Sequence, residues 1–455
     1  MTFSLELLRA RIEYLTEIKK LQGLTFSGRV YLVGGAIREL ALGQTPKDYD
    51  LVLERPEDAT KLEELFRTKG FLLGKKPIQT YRMVAADAII FDLTFLSSHI
   101  DQDLARRDFT MNAIAYELFS REIFDPFGGL EDIRRRLIRY PRRDALKEDP
   151  LRMVKAVRHL STLQDFSLDP ELSAAITEDG ELIRRAAPER LKYELDLIML
   201  SQNPHRGIVA LQETGLLFLL FPELGALREM DEEKGFELET LGHTIEGFRY
   251  IAKAGQMYPF DEQEIKCAAY GLLFHDLGKA HTFSYDESKE RVHFFNHEKY
   301  SMSLSGTIME RLRFSSNEIK VISRLIEHHM RIFLISNKEA TEKAVRRLVY
   351  KMEGLTPALV LLTLLDMYGS SNGEDNATTQ RVRERCSEVL AAHEEWRKGP
   401  LPRLLNGHDL ISLGFAEGPE LGWVLGDIRE KQVAGEITER DAALEHARRF
   451  LKSSL

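Results

Sequence analysis

The sequence predicts an α+β protein, with a small mixed α/β head followed by a predominantly α-helical neck and body. Three observations point there. A short apolar run, RVYLV, ends in a glycine pair that opens a helical stretch; a second strand-like run, DYDLVLE, comes soon after; and from Glu148 onward apolar residues recur at i, i+3, i+4 and i+7.

Taken in order, residues 4–22 mix apolar and charged residues at helical spacing. The run Val30–Val33 reads as a buried strand, Gly34 and Gly35 as a turn, and AIREL as the start of a helix. DYDLVLE sets Asp48 and Asp50 two residues apart, so both carboxylates leave one face of the strand. AIIFDLTFL places Asp92 in a third strand, and MNAIAYEL reads as a helix that Asp108 or Thr110 would cap. Mixed α/β structure thus fills about residues 28–140, and the rest of the chain is expected to be helical. Breaks are expected near Pro141 and over 223–236, 369–380 and 398–404, and no internal repeat suggests a solenoid.

The chain has 455 residues, with 63 Lys+Arg against 72 Asp+Glu and a formal net charge of −9. This balance excludes a protein that coats nucleic acid by charge alone. A local basic run such as Arg134, Arg135, Arg136, Arg139, Arg142 and Arg143 still offers phosphate contacts, because screening limits each charge to about 10 Å. Cys267 and Cys386 are too few for a disulfide framework and imply a reducing compartment. The N-terminus lacks a basic segment followed by an uninterrupted apolar core, and no window of about 18 residues is both apolar and uncharged. A cytoplasmic protein without a membrane partner is expected.

Asp48 and Asp50 on one strand face can hold two divalent cations, one at an attacking hydroxyl and one at leaving phosphates. Gly34 and Gly35 let backbone N–H groups approach a triphosphate, and Arg38 adds positive charge. Alone, a D-x-D is commonly a solvated strand edge and a Gly-Gly a turn. Followed in order by DLARRDFTMNAIAY, DPFGGLEDI and EDPLRMVKAVRHL over about 28–200, they resemble the nucleotidyltransferase head and neck of class II CCA-adding enzymes and bacterial poly(A) polymerases. The resemblance implies an N-terminal helix over 1–27, a polymerase-β-like head over 28–145 and a helical neck over 146–230. It also implies Mg2+ at Asp48 and Asp50, CTP and ATP as substrates, and tRNA or another RNA 3′ end as partner. Gly34, Gly35 and Arg38 would bind the triphosphate, and Arg106, Arg107, Asp108 and Asn112 the ribose and phosphates. Asp92 is a further candidate carboxylate, and Glu39 stands where the family has aspartate.

The element E-D-x-x-R occurs at Glu148, Asp149 and Arg152. Locally, Asp149 before Pro150 reads as an N-cap, and Glu148 with Arg152 as an i,i+4 pair. Chemically, Asp149 and Arg152 at i,i+3 present an acceptor and a donor side by side. That is the complement of the exocyclic amine and ring nitrogen shared by cytosine and adenine, and the reverse of what uracil and guanine offer. The resemblance implies selection of C and A by these side chains. Arg158 matches the same family helix, and Lys155 stands where arginine is common.

Farther on, His243, His275, Asp276, His297, His328, His329 and Asp366 lie in helical patterns with apolar neighbours, which would direct them into a shared interior. Such donors suit a divalent transition metal such as Mn2+ or Ni2+ and an activated water. The series resembles the HD superfamily of metal-dependent phosphohydrolases over 236–380; a purely structural helical body is the alternative. Residues 381–455 resemble the last helical, RNA-binding region of the CCA-adding family. There Gly414, Gly418 and Pro419 form either a tight interhelical turn or a backbone surface for RNA phosphates.

Three functions remain open: addition of C or CCA to tRNA, addition of A or poly(A) from ATP, and phosphohydrolysis as the main activity. The intact D-x-D, R-R-D and E-D-x-x-R elements argue against the last. FDLTFL runs almost directly into SSHIDQDLARRDF, where full CCA-adding relatives carry a longer mobile loop. By resemblance, that shortening favours addition of C residues only.

Overall fold

A computed structural model of the chain describes residues 4–73, 79–234, 239–337, 339–399 and 401–453. The chain forms two compact units. The first reaches to Glu194 and includes Ala210–Leu220; the second holds Leu195–Val209 and the chain from Phe221 on.

The first unit contains the strands β1 (Val30–Val33), β2 (Asp48–Leu53), β3 (Phe71–Leu73), β4 (Thr80–Val84), β5 (Ile90–Phe95), β6 (Ala115–Glu117) and β7 (Ile123–Phe124). They make one sheet in the order β3-β4-β5-β2-β1-β6-β7. The three expected strands are present, and β1 is buried along its whole length, as an uninterrupted apolar run requires of a central strand. β2 and β5 run parallel with Asp50 opposite Asp92, and β4 continues the row antiparallel with Arg82 opposite Asp92.

Two helices replace the single N-terminal one, α1 (Leu5–Tyr14) and α2 (Thr16–Gln22), because Leu15 is extended at ψ 131°. They bury Leu8, Ile12, Ile18 and Leu21. Side chains from them also grip the sheet: Tyr116 donates to Glu13 at 3.1 Å and Tyr49 to Glu17 at 3.2 Å. Tyr49 lies between Asp48 and Asp50, so it leaves the opposite face of β2 and ties the carboxylate strand to α2.

MNAIAYEL is not a helix. Thr110–Asn112 form one short turn, and β6 then pairs with β1, Leu32 opposite Tyr116. An apolar run this short fits either structure, and pairing with a buried strand decides it. The basic run is also committed internally. Arg134 and Arg135 pair with Glu131, Arg139 with Asp132, Arg142 with Glu148 and Arg143 with Glu178, while Arg136 stacks on Phe166. Arg134 and Arg135 share one exposed glutamate on their own helix, while Arg136 and Arg139 are tied to neighbouring segments. The remaining elements that position the site are α3 (Gly35–Ala41), α4 (Ile100–Ala105), α5 (Leu151–Thr162) and α6 (Pro188–Met199).

Among the described residues, the second unit is helical apart from one hairpin, β8 (Phe283–Asp286) and β9 (Arg291–Phe294). Its helices include α7 (Thr240–Gly247), α8 (Glu262–Phe274), α9 (His297–Arg311), α10 (Ser316–His328), α11 (Thr356–Ser370) and α12 (Ala377–Arg397). Capping boxes start α8, at Asp261 and Glu264, and α10, at Ser315 and Glu318. α11 is the central post, buried from Thr356 to Gly369. A Cβ on Gly369 would fall 2.2 Å from the His243 carbonyl oxygen, so α7 and α11 meet backbone to backbone.

The break expected over 223–236 is instead a helix, Pro222–Lys234, with Leu224, Leu227 and Met230 buried. Residues 235–238 lie outside the described residues. Among the described residues, the stretch Glu342–Ser370 is long and apolar enough to cross a membrane, but Glu353 breaks it at φ 52°, and 72% of its most apolar window is buried. Near the C-terminus, Leu410, Phe415, Val424, Ile428, Ala443 and Ala447 form a separate apolar cluster. Gly414, at φ +105°, and Pro419, at the start of α13 (Pro419–Val433), shape the turn between its helices.

Candidate functional site

In the head, Asp48 is exposed at the start of β2 and Asp50 is half-buried on the same face. Gly34 sits opposite at φ +75°, and a Cβ there would fall 2.3 Å from Asp50 Oδ2 and 2.9 Å from Arg107 Nη1. The glycine therefore leaves room over a carboxylate and an arginine, the cradle a phosphate–metal complex needs. Burial raises the Asp50 carboxyl above its ordinary range; Arg107 opposes this, and Asp92, Asp108 and Asp48 reinforce it. A carboxylate so disfavoured as an anion, with a second one on the same strand face, fits a divalent cation.

Asp92 stands beside Asp50 but is already engaged: Arg82 Nε donates to Oδ1 at 2.8 Å and Nη2 to Oδ2 at 2.7 Å. It enters a metal's shell only by releasing that fork. Arg38 is buried, which lowers its pKa, and donates to Asn112 Oδ1 at 2.6 Å and Glu39 Oε1 at 3.2 Å. Glu39 thus serves as Arg38's partner. Asn112 passes the chain on, donating to Asp108 Oδ1 at 2.9 Å. Burial pushes the Asp108 carboxyl up, but Lys155, Asn112, the Phe109 N–H and Arg152 outweigh it and hold it below its usual range. Arg106 and Arg107 both donate to Asp103.

The neck element lies next to this set. Arg152 donates to the carbonyls of Ala145 at 3.0 Å and Arg106 at 2.5 Å, which joins the E-D-x-x-R and R-R-D elements through main chain. Asp149 accepts from the Leu151 N–H at 3.3 Å, a long cap contact, and from Arg190 Nη2 at 2.8 Å. Arg158 is held by Glu194 at 2.7 Å and lies beside buried His159.

In the second unit, six of the seven expected donors converge. His243 Nε2 lies 3.1 Å from Asp276 Oδ2 and 3.6 Å from Asp366 Oδ1; His275 Nε2 lies 3.2 and 3.5 Å from the same two oxygens. Asp276 Oδ1 faces His297 Nε2 at 3.4 Å, and His297 Nε2 lies 3.2 Å from His329 Nε2. The four Nδ1 atoms donate to main-chain carbonyls three or four residues back: His243 to Glu239, His275 to Leu272, His297 to Phe294 and His329 to Ile326. A carbonyl only accepts, so each Nδ1 carries the hydrogen and every Nε2 turns inward as a prospective ligand.

Asp276 thus faces His243 and His275 with one oxygen and His297 with the other, and the sets His243–His275–Asp366 and His275–Asp276–His329, which share His275, are each close enough to hold a cation. The cavity demands positive charge: burial would lower His275, yet Asp276 and Asp366 push it up to about 10. Burial and His275 lower His329 to about 4, keeping it neutral.

His328 is the correction. It is buried outside the cluster, with Lys351, Glu327, Arg331 and Arg324 as its charged neighbours, because on a helix the residue beside His329 turns about 100° away. Sequence reasoning missed Arg82, Arg190 and Lys279. Lys279 lies 2.6 Å from Asp276 Oδ2, and its place three residues after Asp276 was a readable signal. Arg82 and Arg190 sit in ordinary strand and helix patterns that carry none.

The poly(A) polymerase head domain matches residues 30–94 and 78–139, the probable RNA- and SrmB-binding site of polymerase A matches 165–227, and the HD domain matches 240–368. The A-adding tRNA nucleotidyltransferase of Deinococcus radiodurans is 31% identical over 89% of this chain and 92% of its own. The CC-adding tRNA nucleotidyltransferase of Thermus thermophilus is 31% identical over 92% of both. Among solved structures, the Thermotoga maritima CCA-adding enzyme complexed with tRNA covers 98% of this chain at 21% identity, with 95% of that chain matched and a TM-score of 0.62. The Bacillus stearothermophilus CCA-adding enzyme in complex with CTP covers 100% of both chains at 22% identity and a TM-score of 0.61. These structures share the fold, and the sequence relatives place the chain more closely: it belongs to the tRNA nucleotidyltransferase and poly(A) polymerase family of enzymes, with an HD domain behind its head and neck.

Proposed function

We propose that this enzyme transfers CMP from CTP to the 3′-hydroxyl of tRNA and stops after the two C residues of the CCA end. The observation that carries the choice is the four-residue connection, 96–99, between β5 and α4. The resemblance to full CCA-adding enzymes implies a longer, mobile loop at this place. Identity does not choose, since the CC-adding and A-adding relatives are both 31% identical. Addition of A from ATP is the second reading, and poly(A) synthesis has no better support.

Asp48 and Asp50 would hold Mg2+, which when bound supplies charge stabilisation at the attacking oxygen and the triphosphate. The chain's own residues do the rest. Arg38 and Arg107 add positive charge to the cradle over Gly34. Asp149 accepts from the exocyclic amine of the base, and Arg152 donates to its ring nitrogen. The second unit acts as a phosphohydrolase with a divalent transition metal such as Mn2+ or Ni2+, held by His243, His275, Asp276, His297, His329 and Asp366.

The test is tRNA lacking its CCA end, incubated with CTP alone, ATP alone and both. CC addition predicts two nucleotides from CTP and no further extension with ATP. A third nucleotide with both substrates refutes the stop, and extension by ATP alone refutes C addition.

A further inference from the structure

Arg190 grips the Asp149 carboxylate unevenly, with Nη2 at 2.8 Å from Oδ2 and Nη1 at 3.4 Å from Oδ1. Among the described residues, Oδ1 otherwise receives only the Leu151 N–H at 3.3 Å. Arg190 comes from α6, 41 residues along the chain, and its side chain is 53% exposed, so burial does not impose the contact. Exposed ion pairs contribute little to stability.

An aspartate three residues before an arginine is within reach of pairing with it. A pair closed on itself has no free acceptor and no free donor to offer a base. Here each partner is held elsewhere: Asp149 by Arg190, and Arg152 by the carbonyls of Ala145 and Arg106. We infer that Arg190 is a positioning residue for nucleotide selection. It anchors Asp149 through Oδ2, keeps it from collapsing onto Arg152, and leaves Oδ1 to accept from the exocyclic amine of the incoming base. The inference rests on the base-reading role proposed for Asp149 and Arg152.

The experiment compares kcat/KM for CTP and for UTP on tRNA lacking its CCA end, in the parent, R190A, R190K and D149N; for an A-adding enzyme the pair is ATP and GTP on tRNA ending in CC. D149N is expected to lose most of the CTP preference. R190A is expected to lose about tenfold or more, chiefly through a raised KM for CTP, with an unchanged melting temperature. R190K is expected to restore part of it, since an ammonium can hold one oxygen but not fork across two. Parental discrimination in R190A alongside its loss in D149N overturns the role of Arg190 and leaves base reading intact. Parental discrimination in D149N overturns base reading itself, and the role of Arg190 with it.

Discussion

Gly34 and Asp50 face each other so closely that a single methyl group on the glycine would fall 2.3 Å from the carboxylate oxygen Oδ2. The glycine is required twice, for that space and for its φ of +75°. Gly34→Ala is therefore expected to lower CTP incorporation at least 100-fold while costing only about 1–2 kcal/mol of stability from the strained backbone. Single-turnover kinetics together with a melting curve separate the two effects. A near-parental rate would detach the glycine from nucleotide binding.

Replacing either carboxylate of the D-x-D pair with alanine is expected to lower kcat by about a thousandfold or more, roughly 4 kcal/mol of transition-state stabilisation. Asp92→Asn is expected to cost no more than about tenfold, since Arg82 already occupies both oxygens of Asp92. Equal losses in all three variants would make Asp92 a full member of the metal set.

In the second unit, Asp276→Ala and His329→Ala are expected to abolish bound transition metal, measured by elemental analysis, and hydrolysis of generic phosphoesters and 2′,3′-cyclic nucleotides. His328→Ala should keep both, because its ring lies outside the cluster. CTP incorporation should persist in all three. Metal loss in His328→Ala would bring that residue back into the site.

Asp58 tests the scaffold. Its buried carboxylate accepts from the Ser27 and Gly28 N–H groups and from Lys61, pinning the segment that enters β1. Burial pushes its pKa up, but Lys61 and the two N–H groups outweigh that and hold it below the usual range. A carboxyl lowered on folding stabilises above its unfolded value, near pH 4, and stops doing so as pH falls through the folded one. Asp58→Ala should cost about 2 kcal/mol at pH 7, and the gap in melting temperature should narrow in acid. A gap independent of pH would assign the loss to packing.

Much of this was legible beforehand for a physical reason. β1, β2 and β5 are apolar runs long enough to fix their own state, and D-x-D spacing states which face its carboxylates share. β6 was misread because AIAY is too short to choose between helix and strand until β1 is beside it. The doublet His328–His329 suggests two ligands in sequence, and only one ring turns inward because that depends on how α10 packs. Arg190 and Arg82 were invisible because their meaning lies in partners: Asp149, 41 residues away, and Asp92, across a strand pair.

The main-chain tethers on the four histidine rings make the metal pocket a property of helix placement. Each ring is locked to its own backbone, so neighbouring side chains have little leverage on where its lone pair points. A shift of α7, α8, α9, α10 or of α11, which carries Asp366, would widen or narrow the pocket. If a cation binds there as proposed, discrimination among cations would be a matter of gauge, set by the spacing of these helices, and mutations at distant helix contacts would be a route to a changed metal preference.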